Sequence, residues 1–126
     1  MEFDAALWQD VFDLLEPVLP AEWAQIVLYL TYTDESGSID YRIGTDDGQF
    51  RQYHGFPEIS GDMAEAVFTE IDFLLMPVLR RMSEPWVSAA VRFRQDGRFQ
   101  VRYDYTAIAE RDAAYEQAAL AAFLRE

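Results

Sequence analysis

Asp46, Asp47 and His54 are the residues of this chain whose types suit proton transfer. A carboxylate pair can divide the acid and base roles of a hydrolytic reaction. Here the pair sits in 45-TDDG-48, a glycine turn, where adjacent acids are more often solvated loop residues. His54 has no serine or cysteine motif beside it, and no Gly-x-Ser-x-Gly occurs. The stretch 34-DESGSID-40 carries oxygen ligands at alternate positions, as a Ca²⁺ loop does. Its glycine falls too early, and no glutamate closes it at the right distance, so it reads as a hairpin loop. With one histidine and no cysteine, metal sites built from those residues are almost excluded. No glycine-rich phosphate loop follows a strand. The expectation is a chain with no cofactor, no metal and no catalytic residues.

The other concentration of chemistry is arginine. The stretch 86-WVSAAVRFRQDGRFQVRYDY-105 holds Arg92, Arg94, Arg98 and Arg102, four of the ten basic residues. The chain around them is acidic, with a formal net charge of −13 over 126 residues. Residues 1–77 hold 16 acidic and 2 basic residues, while 78–126 hold 7 and 8. Such a surface repels nucleic acid and anionic membrane and attracts basic partners. An acidic host proteome or biased coding would give the same composition. The hydrophobic fraction, 51%, is too high for a disordered chain, and the length suits one domain, 1–126. Met1-Glu2-Phe3-Asp4 is acidic where a secretion signal is basic, and no apolar run reaches transmembrane length. A cytoplasmic location is expected.

The elements that position these residues follow from periodicity. Residues 4–18 read as an amphipathic helix with Leu7, Val11, Leu14, Leu15 and Val18 on one stripe, Asp10 and Asp13 elsewhere, and Asp4 as N-cap. Residues 24–33 and 38–44 read as strands. A four-residue loop at 34–37 would pair Tyr32 with Ile39, Leu30 with Tyr41 and Leu28 with Ile43. A third strand, 49–54, would set Phe50 opposite Ile43. Residues 62–82 read as a long helix burying Met63, Val67, Ile71, Leu74, Leu75 and Val78, kinked or ended by Pro77.

In the arginine-rich stretch, a loop of Gln95, Asp96 and Gly97 pairs Phe93 with Phe99 and Val91 with Val101, with Gly97 in the left-handed region. The arginines then share the solvent face of one hairpin. With Tyr29 and Tyr53 they could meet phosphates, but the net charge opposes it, and pairing with acids of a neighbouring strand explains them better. Residues 107–125 form an alanine-rich helix with Ile108, Tyr115, Ala119, Ala122 and Phe123 as packing candidates. The expected architecture is α+β: a single antiparallel sheet of about five strands with helices on one face, in the order α-βββ-α-ββ-α.

Two stretches resemble a known family. The segment 20-PAEWAQIVLYLTYTDESGSIDYRI-43 resembles the opening of the YezG-like immunity proteins, with Pro-x-x-Trp, a hydrophobic strand, a glycine-containing turn and an aromatic second strand. Their second hallmark is Pro-Trp, a strand, a glycine turn and a strand ending in a Tyr-Asp-Tyr-like element. Pro85, Trp86, Gly97, Phe99, Tyr103, Asp104 and Tyr105 match it. The C-terminal helix departs from the pattern. The resemblance implies an antitoxin that neutralises a secreted polymorphic toxin, often a nuclease, without catalysis, and it carries over no contact residues. Trp23 and Trp86 are then core anchors. A basic, nuclease-like toxin would be met by acids on the loops and the long helix: Asp34, Glu35, Asp46, Asp47, Glu58, Asp62, Glu65 and Asp72. A small acidic adaptor or secretion chaperone for another basic protein is the alternative, and an enzyme using Asp46, Asp47 and His54 is a third.

Overall fold

The run Ile26–Leu30 contains no polar position, and all five residues are buried. A strand can be apolar without alternation only when both faces of its sheet are covered. The computed structural model, which describes residues 5–19, 23–32, 37–45, 50–51 and 61–125, has that arrangement. Its elements are α1 (Ala5–Leu15), a 3-10 turn (Glu16–Val18), β1 (Trp23–Tyr32), β2 (Gly37–Thr45), β3 (Phe50–Arg51), α2 (Gly61–Arg81), β4 (Ser88–Arg94), β5 (Phe99–Asp104), a 3-10 turn (Ile108–Glu110) and α3 (Ala113–Leu124). The sheet is antiparallel in the order β3-β2-β1-β4-β5, with four full strands and a two-residue β3 at one edge. The α+β class and the element order are as expected.

The helices do not all lie on one face. Ile26, Leu28, Leu30 and Tyr32 of β1 pack with Leu7, Trp8, Val11 and Leu15 of α1 and with Ile71, Leu75 and Leu79 of α2. Val27 and Tyr29, on the other face of the same strand, pack with Ala90 of β4 and with Leu120 and Phe123 of α3. The physical reason is in β1 and β4 together. Ser88 to Phe93 are all buried, so both strands need cover on two sides.

The larger core is aromatic at its centre. Trp8, fully buried, lies 6.1 Å from Trp86 and 6.4 Å from Tyr103, ring centre to ring centre, and its indole N–H donates to the Tyr103 hydroxyl at 2.8 Å. Trp86 is buried as expected, and Trp23 is half-buried against Phe12. The expected stripe of α1 omitted Trp8, its largest fully buried member. The helix gives way at Glu16 to the 3-10 turn that carries Pro17. Asp4 lies outside the described residues. In α2 the helix runs through Pro77 to Arg81, and Met63 is 46% exposed rather than buried.

Registers divide by turn chemistry. The β4–β5 hairpin pairs Phe93 with Phe99 and Val91 with Val101, and Gly97 has φ +91°. The Gly97 amide donates to the Arg94 carbonyl at 2.9 Å, which closes the three-residue loop. The β1–β2 pairing is two residues away from the expected one: Tyr32 faces Gly37, Leu30 faces Ile39 and Leu28 faces Tyr41. A two-residue slip keeps every side chain on its face, so hydrophobic pattern cannot detect it. Tyr32 decides it. Its ring lies across Gly37 so closely that a Cβ there would stand 2.3 Å from Cε1, and its hydroxyl donates to Asp72 of α2 at 2.5 Å. Only glycine fits opposite that ring. In β3, Phe50 faces Gly44 and Arg51 faces Ile43, one place from the expected pairing. Residues 52–54 lie outside the described residues.

Gly37→Ala is therefore expected to force the Tyr32 ring from its site and lower stability by about 1–3 kcal/mol, as overpacking does. Urea denaturation with near-UV circular dichroism measures it. Unchanged stability would contradict the close approach.

Candidate functional site

Arg92 extends from β4 beneath α3, 1% exposed. Its Nη2 donates to the carbonyls of Phe123 and Leu124 at 2.9 and 3.3 Å, its Nη1 donates to Gln100 Oε1 at 3.3 Å, and its guanidinium stacks on the Phe123 ring at 5.0 Å. The last carbonyls of a helix have no intrahelical donors and carry the negative end of its dipole. A buried cation there satisfies both. This corrects the expectation that the hairpin's arginines share a solvent face. Side-chain alternation placed Arg92 on the side away from α1 and α2 correctly, but that side is covered. Arg102 reaches the same ring at 5.9 Å, Arg94 is half-buried, and exposed Arg98 pairs with Asp96 in its own turn at 2.7 Å. The partners of Arg92 include helix carbonyls and Gln100, and that of Arg98 is a turn acid.

The other end of α3 is held by Arg111, whose side chain is also 1% exposed. It pairs with Asp104 and Glu116, each at 3.1 Å, and donates to Ser88 Oγ and the Thr106 carbonyl at 3.0 Å. Tyr115 donates to Asp104, and Tyr29 donates to Glu116. Asp112 caps the helix by accepting from the Tyr115 amide at 2.8 Å. Burial alone would raise the Asp104 pKa, but hydrogen bonds from Tyr115 and Thr106, with the Arg111 charge, outweigh it and hold the carboxyl below its ordinary value. Burial and the Glu116 hydrogen bond push Tyr29 up to about 12. Burial also works against the Arg111 charge, yet Glu116 and Asp104 raise its pKa. Tyr29 is thus part of a packed knot rather than of a phosphate-binding face.

The outward surface of α1 and α2 differs in character. Asp10, Asp13 and Glu16 are exposed along α1 and the turn after it, where no basic residue occurs. On α2, Asp62, Glu65 and Glu70 are exposed, and the basic residues of the helix are Arg80 and Arg81 in its last turn. Of the acids anticipated for binding, Asp62 and Glu65 stand free of the core on this helix. Asp72 is half-buried and accepts from Tyr32. Asp34, Glu35, Asp46, Asp47 and Glu58, like His54 and Tyr53, lie outside the described residues. Asp10, Asp13, Glu16 and Glu70 were not among the anticipated acids. Their positions off the apolar stripe were the signal that could have found them.

Residues 5–123 match the family model described as immunity protein YezG-like. The chain belongs to the YezG-like immunity protein family. Its general role is that of an immunity protein, which binds a cognate toxin. A comparison with curated proteins gave no match. In this YezG-like chain the Tyr-Asp-Tyr element divides its work. Tyr103 accepts from Trp8 on the α1 side, Asp104 takes Arg111 and Tyr115 on the α3 side, and Tyr105 is 47% exposed. The element thus couples the two cores across one strand.

Arg92→Ala is expected to remove the side-chain donor of the Phe123 and Leu124 carbonyls and to open a gap beneath Phe123, at a cost of about 2–4 kcal/mol, while Arg94→Ala changes stability little. Chemical denaturation of both variants checks this, and equal effects would contradict the anchoring role. Because the folded Asp104 carboxyl is held below its unfolded value, its contribution is present above the ordinary carboxylate pKa of about 4 and is lost as pH falls through the folded value. Asp104→Asn should therefore destabilise at neutral pH and flatten the acid limb of the stability–pH profile. A parallel profile would exclude Asp104 as the source.

Proposed function

We propose that this immunity protein neutralises its toxin by stoichiometric binding through the acidic outer surface of α1 and α2, and that the toxin presents a basic, nuclease-like groove. The observation that carries this reading is the segregation of charge. Six exposed acids lie on α1, the turn after it and α2, while Arg92 and Arg111 of the C-terminal half are buried beneath α3. The negative charge of the N-terminal half is left facing outward. Such a field raises association rates with a basic partner and disfavours acidic ones. The loop acids Asp34, Glu35, Asp46, Asp47 and Glu58 are proposed to extend this surface. Inhibition by occupation needs no catalytic group in the inhibitor. Among the described residues no helix is long and apolar enough to cross a membrane. The proposed place of action is the cytoplasm of the producing cell.

Co-expression with the toxin domain encoded by the neighbouring gene tests the reading. Restored growth and a 1:1 complex are expected. Reversal of Asp10, Asp13, Glu65 and Glu70 to arginine should slow association about tenfold or more at low salt, with the difference shrinking as salt is added. Reversal of Asp34, Glu35, Asp46 and Asp47 measures the loops' share in the same way. Neither rescue nor complex, with both proteins folded, would favour an adaptor or secretion chaperone for a different basic protein. A complex whose association rate ignores these reversals would remove the acidic surface from the interface.

A further inference from the structure

Phe73 is 71% exposed in the middle of α2. At 3.6 residues per turn it points roughly 160° away from Leu75, at the centre of the buried stripe. Ala66 and Pro77 fall on the same outward line, and both are exposed. Neither Phe73 nor Pro77 is accounted for by folding. A phenylalanine in water contributes no burial and is a weaker helix former than the straight-chain residues that suit exposed positions. Proline inside a helix lacks the N–H that would meet the carbonyl four residues back, here that of Phe73. One outward line therefore combines a bare aromatic ring, two smaller apolar residues and a backbone carbonyl that residue 77 cannot satisfy. Glu70 lies one turn before the ring, and Arg80 stands two turns after it.

We infer that this patch is the docking centre for the toxin, with Phe73 entering an apolar pocket whose rim carries an arginine or lysine able to donate to the Phe73 carbonyl and pair with Glu70. The inference rests on the proposed toxin-binding reading and gives it a location. The arrangement is that of an interface whose apolar centre is ringed by charge. Aromatic anchors of this kind carry most of the energy of an interface and act on the dissociation rate, whereas the surrounding acids act on association. The occupant is a basic partner because the exposed charged residues of α1, the turn after it and the first half of α2, the helix that carries the ring, are all acidic. A second copy could offer only Arg80 and Arg81 of its own α2 to these acids and would leave those of α1 and the turn after it without cations.

The test uses the full chain and the purified toxin domain encoded by the neighbouring gene, followed by surface-immobilised binding kinetics. Phe73→Ala is expected to weaken binding by about tenfold or more, chiefly through faster dissociation, with an unchanged circular dichroism spectrum. Pro77→Ala restores a helical donor to the Phe73 carbonyl, so it should raise the melting temperature and yet weaken binding. Tyr105→Ala removes another exposed aromatic, one outside α2, and should bind as wild type does. If wild type binds and Phe73→Ala stays within about twofold of it, the docking centre is overturned while the toxin reading stands. If wild type does not bind, both are overturned. A concentration-dependent dimer of wild type that Phe73→Ala abolishes would overturn the inference in favour of self-association.

Discussion

A guanidinium taken out of water must find acceptors for its donors, and in this chain the acceptors under Arg92 are the final carbonyls of α3. The rest of the arrangement depends on that contact. An alanine-rich helix has little apolar side chain with which to hold itself to a sheet, and α3 buries only Leu120 and Phe123. Arg92 pins its C-terminal end, and the Arg111–Asp104–Glu116 knot with the Asp112 cap pins its start. Held at both ends, α3 closes the second face of β1 and β4. With that face closed, their unbroken apolar runs become consistent with a folded chain, and α1 and α2 can be given over to the first face alone.

The burial of two arginines also shapes the exterior. Both charges are matched inside the contact between α3 and the sheet, Arg111 by Asp104 and Glu116 and Arg92 by the last carbonyls of α3, while the exposed acids of α1 and α2 stay on the other side. Fold and electrostatics are two consequences of one placement. The YezG-like family match over residues 5–123 supplies the general role, and the charge arrangement supplies a physical route by which that role can be performed.

Much of the fold was legible in the residues, and the failures have definite causes. The β4–β5 register followed from loop chemistry, because only a three-residue loop with Gly97 at positive φ keeps Phe93 beside Phe99. The β1–β2 register was missed by two places because such a slip conserves every facing; the decisive contact, the Tyr32 ring over Gly37, is tertiary. Arg92 was misplaced by treating an arginine on an alternating strand as proof of solvent. The contrary signal was present in Ile26–Leu30, whose lack of alternation already requires cover on both sides. Of the proposed binding surface, the sequence pointed to Asp62 and Glu65, whereas Phe73 hides in a helix rich in apolar residues, and only its angle to the buried stripe singles it out.

The most direct measurement is hydroxyl-radical footprinting of the protein alone and in complex with the toxin domain encoded beside it. Docking on the acidic helices predicts that the Phe73 ring becomes protected on binding while Tyr105 keeps its reactivity. Protection at Tyr105 with Phe73 reacting at its free rate would contradict it and place the toxin near Tyr105 rather than on the outward face of α2.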